Sequence, residues 1–250
     1  MVLTIVYISG LLKRVKSKYK HQITAFMQKI HIHLEKNQKI YFTSDLHFGH
    51  RNVLKFCNRP WEDEKEMEKG LIENWNNTVG DNDIVFVLGD TFWFNDSHRI
   101  RKVLAQLKGK DIYILPGNHD DFEAYHRVVD PRIHLCVDVV VVWITEENQP
   151  KREVWEVWLS HYPMMTWPHR ENGAYQLFGH IHSQPDVTEG VDQDLPLHWN
   201  QADVGCDYWD WKPVDFDTLV AYCKVKKEDM DTLAGMFDKL RTLSKIPEKL

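Results

Sequence analysis

Six short runs rich in β-branched and aromatic residues recur along the chain, and nearly all stop on a glycine, aspartate, asparagine or histidine. They are KIYFTSD (39–45), DIVFVLGD (83–90), DIYILPGNHD (111–120), VVVVWI (139–144), EVWEVWLSH (153–161) and AYQLFGH (174–180). Runs of this kind read as buried strands. Helical patterns lie between and after them. Glu64 to Asn76 sets Met67, Leu71, Ile72 and Trp75 at helical spacing, and Ser97 to Leu107 opens on a serine suited to cap a helix. Residues 215–225 and 228–243 are amphipathic as well. Strands alternating with helices predict an α/β domain. In open sheets of that class, ligands bind beyond the carboxyl ends of the strands, where side chains from several strands converge. The polar endings are therefore candidates for a single site.

Composition narrows the class further. The chain has 250 residues, 43% hydrophobic and 27% charged, which suits a soluble domain with ample core. Cys57, Cys136, Cys206 and Cys223 form no C-x-x-C pair, so a zinc ribbon or redox motif is excluded and reduced thiols in the cytoplasm are expected. Residues 1–38 hold seven Lys and Arg against one acid, Glu35, although the whole chain carries a net charge of −6. That segment is expected to be a basic, poorly structured extension. Its opening VLTIVYISGLL is 11 residues long, too short to span a bilayer, and its basic residues follow the apolar run, the wrong order for a secretory signal. Met27 begins a segment that would itself serve as a start. The expected organisation is an extension over 1–38, a catalytic domain over 39–225 and a C-terminal amphipathic helix over 226–250.

The stretch LFGHIHSQPD places His180 and His182 two residues apart. In extended backbone they project to the same side, and neutral imidazole is the commonest metal ligand. The other strand endings supply matching groups. Asp45 and His47 come from SDLHFGH, Asp90 from VLGD, Asn118 and His119 from LPGNHD, and His161 from LSHYP. Each has an ordinary reading alone, because Gly-Asp and Gly-Asn-His are common turn sequences. Five such endings in order, each closing a strand, point to one metal-ligating constellation.

In order, DLH, GD, GNHD, H and GHIH resemble the motifs D-x-H, G-D, G-N-H-[ED], H and G-H-x-H of the calcineurin-like metallophosphoesterase superfamily. The resemblance covers about residues 39–217. It implies an α/β (α+β) fold in which two mixed β-sheets pack as a sandwich flanked by helices. It also implies two divalent ions, with Asp45, His47 and His182 on the first, Asn118, His161 and His180 on the second, and Asp90 bridging. Carboxylate, imidazole and amide ligands suit Mn²⁺ first, then Fe²⁺, Zn²⁺, Ni²⁺ or Co²⁺. Two ions about 3.5–4 Å apart activate a shared water for in-line attack on phosphorus. The resemblance gives His119 a separate role, contacting phosphate or protonating the leaving oxygen.

One departure narrows the substrate. Phosphoprotein phosphatases of this superfamily continue G-D-x-x-D-R-G, whereas this chain reads GDTFWFND, with Trp93 and Phe94 in place of the aspartate and arginine. Phosphoprotein substrates are therefore disfavoured, and Asp96 or Asp120 is left as the group to orient His119. The flanks RNVLKFCNRPW and DVGCDYWDWKPVDFD look closer to small bacterial and phage phosphoesterases. His50, Arg51, Asn52 and Arg59 are candidate substrate-phosphate contacts, with His50 alternatively holding a metal ligand in place. The tryptophans at 199–211 either stack a base or, as expected, pack the sheet edge. The favoured substrate is a phosphodiester or a small phosphorylated metabolite. A non-catalytic scaffold of the same fold is disfavoured, since all seven ligands and His119 are present. A nuclease using the basic arm is disfavoured by the acidic body, and no membrane partner is expected.

Overall fold

Phe42, Phe86 and Leu88 share one hydrophobic cluster while Tyr41, Val85 and Val87 share another, the two-residue alternation a strand imposes. The computed structural model describes residues 27–147, 154–183 and 197–244. Its strands are β1 (Met27–Leu34), β2 (Ile40–Thr43), β3 (Ile84–Leu88), β4 (Asp111–Leu115), β5 (Ile133–Leu135), β6 (Val139–Glu146), β7 (Trp155–Ser160), β8 (Tyr175–Phe178), β9 (Gln201–Asp203) and β10 (Val214–Asp215). Two five-stranded sheets result, ordered β1-β6-β7-β8-β9 and β10-β2-β3-β4-β5. Both are mixed: β6 runs antiparallel to β7 and β10 to β2, and the other neighbours pair in parallel. This is the sandwich that the motif resemblance implies.

The core lies in two layers. Between the sheets, Phe42, Phe86, Leu88 and Leu115 meet Val140, Val142, Val157, Leu159 and Leu177. Outside the second sheet, Tyr41, Val85, Val87, Ile112 and Ile114 meet two helices, α2 (Glu64–Thr78) and α3 (Ser97–Leu104). Met67, Leu71 and Trp75 of α2 are buried as their spacing predicts. Each such side chain contributes about 1.5–3 kcal/mol on burial. Asp63 caps α2 by accepting from the backbone N–H groups of Lys65 and Glu66, both at 2.9 Å. Asp96, not Ser97, caps α3, which ends three residues before the expected Leu107. The shorter helices are α1 (Val53–Phe56) and α4 (Phe122–Tyr125).

Two expected boundaries change. Residues 27–34 belong to the first sheet, as β1 pairs with β6 along its full length from Met27↔Val139 to Leu34↔Glu146. In MQKIHIHL, Ile32 and Leu34 are buried while Lys29, His31 and His33 are exposed. The count of basic charge had obscured this period-two pattern. Of the remainder of the expected extension, residues 35–38 connect β1 to β2, and residues 1–26 lie outside the described residues. The two C-terminal amphipathic stretches are one helix, α5 (Phe216–Ser244), anchored by buried Phe216, Leu219, Val220 and Cys223. No break separates a catalytic domain ending at 225 from a later helix. Among the described residues, no helix is long and apolar enough to cross a membrane. Trp199 and Trp209 pack on the core between the sheets and Trp211 on the other core, so these rings serve packing.

Candidate metal centre

The segments following β2, β3, β4, β7 and β8 bring the polar strand endings together. Backbone bonds lash two of them: Asp45 N–H donates to the Gly89 carbonyl at 3.1 Å, and His47 N–H to the Asp90 carbonyl at 2.9 Å. The backbone there is strained. Of the ten described non-glycine residues at positive φ, five are expected ligands: Asp45, His47, Asp90, His180 and His182. Such left-handed conformations cost on the order of 1–3 kcal/mol each and persist where surrounding structure enforces them. Close approach adds a further demand. A Cβ on Gly117 would lie 2.1 Å from Asp90 Oδ1, and one on Gly179 would lie 2.1 Å from Ser44 Oγ. Only glycine lets these loops converge.

The ligand atoms cluster tightly. His47 Nε2 lies 3.3 Å from His182 Nε2 and 3.7 Å from Asp90 Oδ2. His182 Nε2 lies 3.8 Å from Asp45 Oδ1, and His161 Nε2 lies 3.5 Å from Asp90 Oδ2 and 3.0 Å from Asn118 Oδ1. Two groups can each hold a cation with atoms within 4.8 Å of one another: Asp45, His47 and His182, and Asp45, Asp90 and His161. Asp45 is thus common to both, while Asp90 reaches His47 as well as His161. His180 sits beside the second group, its exposed ring 5.1 Å from that of His161 and 4.5 Å from Tyr162.

The donor set fits divalent cations. Asp45 Oδ1 is buried without a hydrogen-bond partner, a costly state for a carboxylate oxygen unless positive charge compensates it. Burial, reinforced by His182, pulls His47 down to about 2, so its imidazole is neutral and able to ligate. Burial would raise Asp90, but its bond and proximity to His161 bring it down to about 2 and keep it ionised. The ligand types, two carboxylates, several imidazoles and an amide with no thiolate, match hard-to-borderline divalent ions.

His119 stands apart from these groups. Its backbone N–H donates to Asp90 Oδ1 at 2.9 Å, while its exposed ring holds Nε2 3.9 Å from Asp90 Oδ2. Neither expected aspartate orients it. Asp96 caps α3. Asp120 is a staple between loops, accepting from the N–H groups of Asp90 at 2.7 Å, Gly117 at 2.9 Å and Thr91 at 3.0 Å, and from the Tyr125 hydroxyl. Trp93 is the neighbour of His119 instead, with ring centroids 4.6 Å apart. On the indole, His50 stacks at 3.7 Å with rings 5° from parallel. Arg51 and Asn52 are exposed at the start of α1.

Arg59 is not a surface contact. It is buried, donating from Nε to Asp207 Oδ1 at 2.7 Å and from Nη2 to Asp207 Oδ2 at 3.0 Å. Its remaining donors reach the carbonyls of Leu46 at 2.8 Å and Asp45 at 2.6 Å. The chain turns inward after α1 and spends this guanidinium on the protein, which overturns its expected role in holding substrate. Asp207 Oδ2 accepts in turn from His182 Nδ1 at 2.7 Å, with Cys57 Sγ 3.3 Å from the same nitrogen. Sequence reasoning missed Asp207. The signal lay in the flank: GCD follows the strand QAD as GD follows the strand IVFVL. Asp203 is a second omission, buried and accepting from the N–H groups of Ser183 at 3.1 Å and Gly205 at 2.7 Å.

A mixed two-sheet sandwich with paired cation-binding groups at its strand ends defines a metallophosphoesterase-type fold and site. The family model described as calcineurin-like phosphoesterase matches residues 38–184, and the chain belongs to that family. It is 44% identical over 93 residues to an uncharacterized protein of Methanocaldococcus jannaschii, a match covering 37% of this chain and about half, 53%, of that protein. It is 26% identical over 191 residues to the gene 66 protein of Mycobacterium phage L5, covering 68% of this chain and 86% of the phage protein. A crystal structure of an Aquifex aeolicus protein of unknown function shares the fold, with a TM-score of 0.51 and 21% identity over 79% of this chain and 100% of that one.

Proposed function

We propose that the protein is a two-metal phosphoesterase acting on phosphodiesters or small phosphorylated metabolites. The observation that carries this reading is the pair of cation-binding groups sharing Asp45, with Asp90 in reach of both and the His119 ring beside them. Asp45, His47 and His182 would hold one ion, and Asn118, His161 and His180 the other, with Asp90 between them. When bound, two such ions lower the pKa of a shared water and neutralise charge on the phosphoryl oxygens. Mn²⁺ is the ion we favour. His119, beside the cluster and exposed to solvent, would deliver a proton to the leaving oxygen or hydrogen-bond a phosphoryl oxygen. His50, Arg51 and Asn52 remain candidates for substrate contact.

Substrate preference follows from the rim. Trp93 and Phe94 stand where a phosphoprotein phosphatase has an aspartate and an arginine, so that phosphate clamp is missing. Exposed Phe56, Trp93 and Tyr162 offer apolar contact near the cluster, which suits an organic ester group. The four buried, unpaired cysteines fit a cytoplasmic enzyme. Metal removal is the direct test. Chelated protein is expected to lose hydrolysis of ethyl p-nitrophenyl phosphate, and added Mn²⁺ to restore it. Full turnover by protein shown metal-free by elemental analysis would sink the reading, and stoichiometric Mn²⁺ binding with no turnover on any phosphoester of a broad panel would favour a scaffold.

A further inference from the structure

We propose that Asp207, gripped by Arg59, is the positioning residue that fixes which nitrogen of His182 faces the metal cluster. The inference rests on the two-metal reading and goes beyond its ligand set. His182 has two faces in use: Nδ1 lies 2.7 Å from Asp207 Oδ2, and Nε2 lies 3.8 Å from Asp45 Oδ1 and 3.3 Å from His47 Nε2. An ionised carboxylate only accepts, so this contact requires the hydrogen on Nδ1 and leaves the Nε2 lone pair for the cluster. A carboxylate on the outer nitrogen also makes the imidazole a stronger donor to a metal.

Asp207 is itself immobilised. Both of its oxygens accept from the Arg59 fork, and both residues are buried, at 6% and 5% exposure, so water does not compete for the pair. The same guanidinium holds the carbonyls of Asp45 and Leu46. One cation therefore ties the loop carrying Asp45 and His47 to the residue that orients His182. Cys57, His182 and Asp207 are close enough to be read as a third cation site. Two facts oppose that. They would use Nδ1, which already donates to Asp207, and the Arg59 charge in contact with Asp207 repels a cation.

Three measurements decide the matter. In wild-type protein loaded with Zn²⁺, a diamagnetic probe, ¹⁵N NMR should show His182 protonated at Nδ1. Asp207→Asn should fold with a cooperative melt like the wild type while binding one of two Mn²⁺ ions about 10–100-fold more weakly, the range for lost support of a metal ligand. Arg59→Lys should weaken the same ion, and by less, since it keeps the charge and loses the fork. A proton on Nε2 in the loaded wild type overturns the proposal even if the variants fail to fold. So does wild-type Mn²⁺ affinity in Asp207→Asn when His182→Ala loses one ion, an outcome that leaves the two-metal reading intact. If His182→Ala binds both ions as the wild type does, the two-metal reading fails and takes this inference with it.

Discussion

His161, buried, and His182, partly buried, are both histidines at strand ends, yet they are held by different means. The Nδ1 of His182 meets a carboxylate locked to Arg59, whereas the Nδ1 of His161 donates to the Leu88 carbonyl at 2.8 Å. Their surroundings differ in the same sense. His47 and Asp45, beside His182, are buried; Asn118 and His180, beside His161, are exposed. The carboxylates of Asp207 and Asp45 lie 2.7 and 3.8 Å from the two nitrogens of His182. On one side the histidine is fixed by a carboxylate that Arg59 holds rigid, and on the other two of the expected ligands, Asn118 and His180, face solvent. On the two-metal reading proposed above, this predicts a division of labour: the seat beside His182 should hold its ion firmly, and the one beside His161 should exchange ion and water.

The severest break falls on the residue that the two-metal reading places between the ions. Asp90 Oδ2 lies 3.7 Å from His47 Nε2 and 3.5 Å from His161 Nε2, so Asp90→Asn removes a charge that serves both seats. Titration with Mn²⁺ should show two unequal affinities in the wild type and loss of both in this variant. Turnover should fall by more than the roughly 10²–10⁴-fold expected when a single general acid is lost. Loss of one ion alone would reassign the bridge to Asp45, which belongs to both cation-binding groups.

His119→Asn comes next and should leave both affinities in place. With folding and metal content unchanged, turnover is expected to drop about 10²–10⁴-fold on esters with alkoxide leaving groups. The deficit should shrink for nitrophenolate, which leaves without protonation. No carboxylate orients this ring from the position Trp93 now holds, and the indole 4.6 Å away is its neighbour. The loss should therefore sit toward the low end of that range. Metal lost in proportion to activity would make His119 structural, and an equal deficit on both leaving groups would make it a phosphoryl contact.

The difference between the two sides also marks what a sequence reveals. The strand endings were legible because side chains just beyond the carboxyl ends of several strands converge, and hydrophobic runs locate those ends. Period-two alternation in MQKIHIHL was equally present, but its lysines and histidines face solvent from a sheet edge and read as a basic arm. Arg59 and Asp207 were not legible as a pair. They lie 148 residues apart and are united only by tertiary packing, so nothing local to CNRPW distinguishes a buried guanidinium from a surface phosphate contact. Asp120 misled for a related reason: adjacency to His119 suggested a partner, while its side chain turns back to the loop N–H groups.

The finest test of the rigid seat is Cys57→Ala. Cys57 Sγ lies 3.3 Å from the Nδ1 of His182, competing with Asp207 Oδ2 at 2.7 Å. A carboxylate accepting from an imidazole forms a charge-assisted bond, whereas sulfur is a weak acceptor. If Asp207 sets the ring, deleting the sulfur removes only a weak contact worth about 0.5–1 kcal/mol. That corresponds to about a two- to fivefold change in affinity for the ion beside His182. Cys57 is buried, so the variant also leaves a small void and a modest loss of melting temperature without Mn²⁺, and a slightly larger loss in excess Mn²⁺, because the weakened ion then stabilises the fold by about 0.5–1 kcal/mol less. Affinity for the second ion should not change, since His161 is held by a backbone carbonyl that the substitution does not touch. The measurement is a two-site Mn²⁺ titration of Cys57→Ala beside Asp207→Asn. Should the alanine weaken the first ion as much as the asparagine does, the thiol shares the work of orienting His182, and the seat is held by two groups of comparable strength.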